Sequence, residues 1–195
     1  SQDGIYILCI SKSGADWNFA KKGMNGSYGY VTRFGKIDLI EEAPAVLKGY
    51  ERALSGRGYI WGRTIPLLPK HLLLGSGPDT FILEFPQNDY VKRYNTSSSM
   101  YQEIPSKAHN MYLQTAVQTG VLSLICLLLF WGFYLKESIC IYWIQKKKDY
   151  IGMACCFSVA GYLMMGVMND SNLATAPLFW TILGLGWAVN HCETV

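Results

Sequence analysis

Ser106 to Leu135 reads SKAHNMYLQTAVQTGVLSLICLLLFWGFYL, a polar turn bearing a histidine that runs straight into an apolar stretch. A bilayer crossing takes about twenty mainly apolar residues at about 1.5 Å rise each. Thr115 to Leu135 meets that length, so a first membrane span is expected there. Two more apolar runs follow, roughly Tyr150 to Met168 and Leu173 to Val189, and they carry Gly161, Gly166, Gly184 and Gly186. Small residues of this kind let helices approach closely in lipid. Three long apolar runs in a chain of 195 residues leave nothing large enough to bury them as a soluble core.

The half before Met111 is of another character. Most acidic and basic residues lie there. Ser1 to Lys48 carries the Gly, Ser and Asn punctuation of turns, with YGYVTRF as one short extended piece. Ile40 to Leu54 is expected to form an amphipathic helix or two half-helices. Arg57 to Leu68 is expected to form a short helix, on the membrane surface or on the protein body. Its aromatics suit an interface, and a plain core helix fits equally well. Phe85 to Pro105 reads as a polar loop. The Asn25-Gly26-Ser27 and Asn95-Thr96-Ser97 tripeptides match glycosylation sequons, but such matches are common by chance. The polar half is expected to hold helices joined by long irregular segments rather than a sheet.

Several function classes drop out. A net charge of +3 is too small to argue for nucleic acid. The six cysteines fall mostly in apolar runs and include no CxxC pair, so neither a disulfide framework nor a zinc site of that kind is expected. The GSG of Leu72 to Asp79 lacks the third glycine of a dinucleotide fingerprint and the Lys-Ser/Thr ending of a phosphate loop.

Lys146, Lys147 and Lys148 lie between the first and second apolar runs. Short basic loops stay cytoplasmic, which would put residues 1–108 and His109 on the outer side and return Asn169 to Asn172 to it. The expected class is therefore an all-α integral membrane protein. It would have about three transmembrane helices in 109–195 and a large extracytoplasmic region with short helices in 1–108. Ser1 to Trp17 resembles neither an initiator segment nor a signal peptide, so the chain is expected to be a piece of a larger helical bundle.

The outer mouth of such a bundle suits a lipid-linked substrate. Arg57, Arg63, Lys107, His109 and Asp170 are the groups that could act there. An arginine offers a fixed fork of donors that matches phosphate oxygens and keeps its charge. Ser106 could cap a helix that places His109 in its first turn, where the dipole and Lys107 would favour a neutral imidazole. A neutral histidine is what a general base requires. By residue type alone, arginines facing water and a histidine without a role are the commoner outcomes, and composition does not choose His109 over His71.

Three stretches in order carry a resemblance. They are Ser55-Gly56-Arg57-Gly58-Tyr59-Ile60-Trp61, then Leu73-Leu74-Gly75-Ser76-Gly77-Pro78-Asp79-Thr80-Phe81, then Ala108-His109-Asn110-Met111-Tyr112-Leu113 with Gly120. With Asn169-Asp170-Ser171 before the last apolar run, they resemble the O-antigen ligase and polysaccharide polymerase family from roughly Arg52 to Val189. The resemblance implies a membrane glycosyltransferase of the bacterial cytoplasmic membrane. Its donor would be an undecaprenyl-diphosphate-linked glycan and its acceptor a glycan or lipid hydroxyl, with no metal, cofactor or nucleotide sugar. Arg57 matches the family's arginine before the Trp and would bind the diphosphate. His109 matches the histidine of the His-Asn motif and would be the base. Arg63 and Lys107 enter as substrate-binding residues only by proximity. Family members carry more spans than three, so further site residues are expected outside this chain.

Two non-enzymatic readings stand beside this one: a transporter or channel subunit, and an anchored extracytoplasmic binding module. The spans carry almost no ionisable residues, whereas ion pathways usually show them. Turnover of a lipid-diphosphate glycan would separate an enzyme from a module that binds without turnover.

Overall fold

A computed structural model describes residues 4–12, 15–23, 26–32, 34–40, 42–96 and 104–192. Asn25 and Ser97 of the two sequon matches lie outside them. The chain divides into two compact units, 1–66 with 82–106, and 67–81 with 107–195.

The first unit opens with a sheet, which corrects the expectation of an irregular start and of an all-α class. Strands β1 (Ile5–Lys12), β2 (Ala15–Lys22), β3 (Gly29–Val31) and β4 (Ile37–Leu39) form an antiparallel meander in chain order. The β1–β2 register runs from Ile5 opposite Lys22 to Lys12 opposite Ala15. The turn residues that suggested irregularity sit between short strands rich in β-branched and aromatic side chains, which favour a pleated surface. Trp17, Phe19 and Tyr30 meet across the sheet with ring centroids 5.8 to 6.3 Å apart. Cross-strand aromatic pairs of this kind hold a register.

The helix expected over Ile40 to Leu54 does not form, a second correction. Residue 41 lies outside the description, and residues 42–54 are irregular chain and turns. Leu47, Gly49, Leu54, Ser55 and Gly56 all have positive φ, from 54° to 90°. No right-handed helix can pass through such residues. The turns lie along helix α1 (Arg57–Thr64), with Val46 N–H donating to the Gly62 carbonyl at 2.9 Å and Tyr59 N–H to the Glu51 carbonyl at 3.0 Å. Gly49 N–H donates to the Glu51 carboxylate at 2.8 Å. Backbone donors, its own N–H first and then that of Gly49, hold this acid below its ordinary pKa. Tyr59, Ile60 and Arg63 of α1 are buried, so α1 is a core helix of its unit. Pro66 and Pro69 follow, each without an N–H to donate, and the chain tightens into a 3-10 segment over Ile65–His71.

Helix α2 (Phe81–Glu84) and helix α3 (Tyr90–Thr96) complete the polar region, α3 standing within the stretch that reads as a loop. Tyr90 lays its ring on Tyr30 at 4.4 Å and donates to the Asp38 carboxylate at 3.1 Å. Burial, then the Asp38 contact, push the Tyr90 hydroxyl up to about 12.

The second unit is helical: α4 (Met111–Thr119), α5 (Val121–Ile139), a π-helical turn (Cys140–Ile144), α6 (Tyr150–Met165) and α7 (Ala176–His191). Its core gathers Met111, Trp131, Tyr134, Val159, Phe179 and Leu183. Tyr142 donates to Asn190 at 2.6 Å and Asn190 to Ser138 at 2.9 Å, which ties the π turn, α7 and α5 together. Among the described residues one helix is long and apolar enough to cross a membrane, Val121–Ile144, with 24 residues and a mean hydropathy of 1.8. This candidate for the first span starts at Val121 rather than at Thr115. Helices α6 and α7 have 16 residues each. At 1.5 Å per residue that is about 24 Å, against about 30 Å of hydrocarbon, so length alone does not make them spans.

Gly120 explains the displaced start. It sits at φ 102°, a conformation open chiefly to glycine, and separates α4 from α5. The break leaves carbonyls of α4 without helical partners. The Gly-Ser-Gly stretch supplies them: Ser76 N–H donates to the Val117 carbonyl at 2.9 Å and Gly77 N–H to that of Gln118 at 3.0 Å. Leu122 N–H of α5 in turn donates to the Leu72 carbonyl at 3.0 Å. A Cβ on Gly75 would stand 2.1 Å from the Gln118 carbonyl. Gly75→Ala is accordingly expected to cost about 1–3 kcal/mol through forced overpacking, read as a lower melting temperature of the detergent-solubilised chain. An unchanged melting temperature would mean that this clamp is loose.

Candidate active site

The His109 turn is built from the chain outward. Ser106 does not cap the helix as expected. Asn110 does, with extended backbone at φ −157° and a side-chain oxygen accepting Leu113 N–H at 2.9 Å. Asparagine is among the best residues for this position. His109 therefore precedes α4, in the left-handed region at φ 50°. The dipole argument, which needs His109 inside the first turn, loses its basis. A non-glycine residue at positive φ is uncommon and persists only where its surroundings hold it.

Those surroundings are the end of α6 and the loop after it. Met111 N–H donates to the Gly166 carbonyl at 2.8 Å, Asn110 Nδ2 to the Val167 carbonyl at 2.9 Å, and Tyr112 Oη to the Leu163 carbonyl at 2.6 Å. Asp170 lies on the same loop. Its Oδ1 accepts Asn110 N–H at 3.2 Å, and its Oδ2 lies 3.2 Å from His109 Nδ1. Both oxygens of this largely buried carboxylate are thus in use. One orients the imidazole and the other is locked to the residue beside it.

His109 is half exposed and faces a cavity of about 540 Å³. Lys107, Tyr162, Asn169, Asp170, Ser171 and Thr175 are among its walls. Lys107 makes no ion pair or side-chain hydrogen bond among the described residues. With Nδ1 engaged by Asp170, the ring's Nε2 is the nitrogen left for chemistry, an arrangement that can accept a proton and hold the resulting charge.

Of the residues expected from sequence, the second unit brings Lys107, His109 and Asp170 to one cavity. Arg57 and Arg63 belong to the first unit. Arg57 opens α1 after Gly56, is half-buried, and its guanidinium has no ion pair or side-chain hydrogen bond among the described residues. Arg63 is placed otherwise than a diphosphate ligand requires, and that expectation is corrected. Its side chain is 1% exposed, its Nε is bound to Asp89 Oδ2, and its guanidinium lies over the Tyr59 ring at 3.9 Å. Asp89 is itself 2% exposed. Burial, then Asp89, push the Tyr59 hydroxyl above the ordinary tyrosine range, so it stays protonated beside the carboxylate. His71 is buried in its 3-10 segment, whereas the His109 side chain is half exposed.

Sequence reasoning missed Asp89 and the several duties of Asn110. An Asn two residues before a Tyr-Leu start was the available signal for the cap. Nothing local pointed to Asp89.

Comparison with protein families gives a match to the family described as O-Antigen ligase (Wzy_C), over residues 19–128, more than half of the chain. The matched stretch runs from β2 into α5 and includes Arg57, Lys107 and His109. No curated protein and no solved structure matches the chain.

Proposed function

The chain belongs to the O-antigen ligase family, and from that premise we propose that it transfers or polymerises glycans carried on undecaprenyl diphosphate. The acceptor is a hydroxyl, the place is the outer face of the bacterial cytoplasmic membrane, and no metal takes part. The His109–Asp170 pair at 3.2 Å on a cavity wall is the observation that carries this reading.

The acceptor oxygen attacks C1 of the donor sugar. The new C1–O bond forms as the bond from C1 to the diphosphate oxygen breaks. His109 Nε2 takes the acceptor's proton, and Asp170 steadies the imidazolium. The electron pair of the broken bond leaves on the lipid diphosphate. Lys107 meets that growing charge at the cavity wall, and the motif position of Arg57 supports a role for its guanidinium in binding the diphosphate. Such fixed donors are worth about 3–4 kcal/mol each when removed from comparable sites.

The basic Lys146–Lys148 loop between α5 and α6 sets the cytoplasmic side. Helix α5 with the π turn crosses the bilayer, and α6 and α7 cross beside it, local thinning accommodating their shorter length. His109 and Asp170 then share the outer rim.

Arg57→Ala and Asp170→Asn test the reading in the full-length protein, reconstituted with a polyprenyl-diphosphate glycan. Arg57→Ala is expected to lower transfer by about 100- to 1,000-fold. Asp170→Asn is expected to lower it by at least about 100-fold through a misoriented ring, with membrane insertion intact in both. Transfer near the wild-type rate in both variants would remove the assignment.

A further inference from the structure

The two faces of the β1–β4 sheet differ in what they meet. Cross-strand neighbours share a face, so the register sorts the side chains. Trp17, Phe19 and Tyr30 lie on one face, where the Tyr90 ring of α3 covers Tyr30. On the other face Ile7, Ala20, Gly29 and Leu39 form one line across all four strands, flanked by Ile5 opposite Lys22 and by Val31 opposite Ile37. Ile5, Ile7, Ile37 and Leu39 are 64%, 65%, 45% and 59% exposed. A Cβ on Gly29 would stand 2.4 Å from Ile37 Cγ2, so the isoleucine lies across the glycine and smooths the face there.

The turn between β3 and β4 adds an aromatic ring to this edge of the sheet. Thr32 N–H donates to the Lys36 carbonyl at 2.8 Å, Gly35 N–H to the Thr32 carbonyl at 2.8 Å, and Lys36 N–H to Thr32 Oγ1 at 3.2 Å. The turn held by these bonds presents Phe34, which is 82% exposed.

Charge identifies the occupant. Residues 5–39 contain Lys12, Lys21, Lys22, Arg33 and Lys36 against Asp16 and Asp38, and the rest of the chain is balanced, so the whole net charge of +3 lies in this segment. The Asp38 carboxylate is engaged, accepting Tyr90 Oη at 3.1 Å and lying 3.9 Å from Lys36 Nζ. Asp16 shares the apolar face but lies six residues from Lys22 along β2, roughly 20 Å away at strand rise. A second copy of the same face would set these cations against one another, which is costly across an interface. An anionic lipid surface meets both features, taking apolar side chains among its acyl chains and basic ones at its headgroups. The chain also carries an apolar helix long enough to cross a bilayer, which keeps such a surface at high effective concentration.

We propose that this sheet face, with the Phe34 turn, is a docking surface for an anionic lipid bilayer. Ile5, Ile7, Phe34, Ile37 and Leu39 enter the interfacial layer, and Lys22 and Lys36 meet the lipid phosphates. Docking holds the unit that carries Arg57 against the surface from which a lipid-linked substrate is drawn, and it stands whether or not the chain transfers glycans.

The test is photo-crosslinking of the full chain in nanodiscs of phosphatidylcholine, with or without phosphatidylglycerol. The photoreactive amino acid p-benzoylphenylalanine replaces Phe34 or Ile7, with Lys48, an exposed residue of the same unit, as the negative control and Ile125 on α5 as the positive one. Adducts are read by intact-protein mass. Lipid adducts are expected at positions 34 and 7, at least about threefold more abundant with phosphatidylglycerol than without it. Lys22→Glu with Lys36→Gln should remove that excess and leave the adduct at position 125 unchanged, which shows that the chain remains inserted. Absence of lipid adducts at 34 and 7 while 125 reacts overturns the proposal. So does cross-linking to a second copy or within the chain in their place, an equal yield at position 48, or a yield indifferent to phosphatidylglycerol. Transfer that survives His109→Ala would instead strike the catalytic reading, so the two failures are distinguishable.

Discussion

Asp89→Ala is expected to destabilise the protein by about 3–5 kcal/mol, because it strands a buried arginine without its counter-charge. Arg63 and Asp89 are 1% and 2% exposed, and neither can turn to water without opening the unit. Tyr59 shares the carboxylate, with its hydroxyl 3.5 Å from Asp89 Oδ2, so the same change leaves a second buried donor unsatisfied. Arg63 Nη1 already has no hydrogen-bond partner among the described residues, which leaves the guanidinium little to fall back on. The measurement is the denaturant midpoint of the detergent-solubilised chain, followed by circular dichroism. Replacing both members by apolar residues of similar size, Arg63→Met with Asp89→Leu, should recover much of the loss, since the charge to be compensated disappears. A midpoint for Asp89→Ala close to wild type would show that this pair does not anchor α1.

The parts of the fold that could be read from sequence were those with a long local signature. An apolar run such as Val121 to Leu135 announces itself over many residues. The short strands did not. Ile5-Tyr6-Ile7-Leu8 is apolar at every position rather than alternating, and Ile5, Tyr6, Ile7 and Leu8 are all exposed in the structure. No period of two could mark β1 as one half-buried face. The turns before α1 resembled a helix because apolar spacing cannot reveal positive φ at Leu47, Leu54 and Ser55. Gly120 falls inside the span expected over Thr115 to Leu135, and only the bonds that join Val117, Gln118 and Leu122 to Leu72–Gly77 show what supports the break there.

The candidate site divides along the same line. His109 and Arg57 were visible through short motifs. The partner of His109 lies far along the chain, and a pairing of that range leaves no local trace. Asp170 is 61 residues beyond His109 and was a candidate without an assigned partner. The ion pair that removes Arg63 from the list of ligands joins residues 26 apart.

The largest effect on activity is expected at His109. Alanine there removes the only imidazole on the walls of the cavity among the described residues. It leaves the Asn110 cap, the Asn110–Asp170 contact and the Tyr112 hydrogen bond in place. Removal of a positioned base costs a factor of about 100 to 10,000. The positive φ of 50° at His109 disfavours alanine on backbone grounds alone, so His109→Asn, which tolerates that backbone, serves as the partner variant. Both should lose transfer to a similar degree, which separates the missing base from backbone strain.

The measurement that bears most directly on the account is the initial rate of glycan transfer by full-length His109→Ala in proteoliposomes, at saturating polyprenyl-diphosphate glycan. The account predicts a rate at least about 100-fold below wild type, with normal amounts of protein in the membrane. A rate within about tenfold of wild type, below any loss expected for a general base, would contradict it.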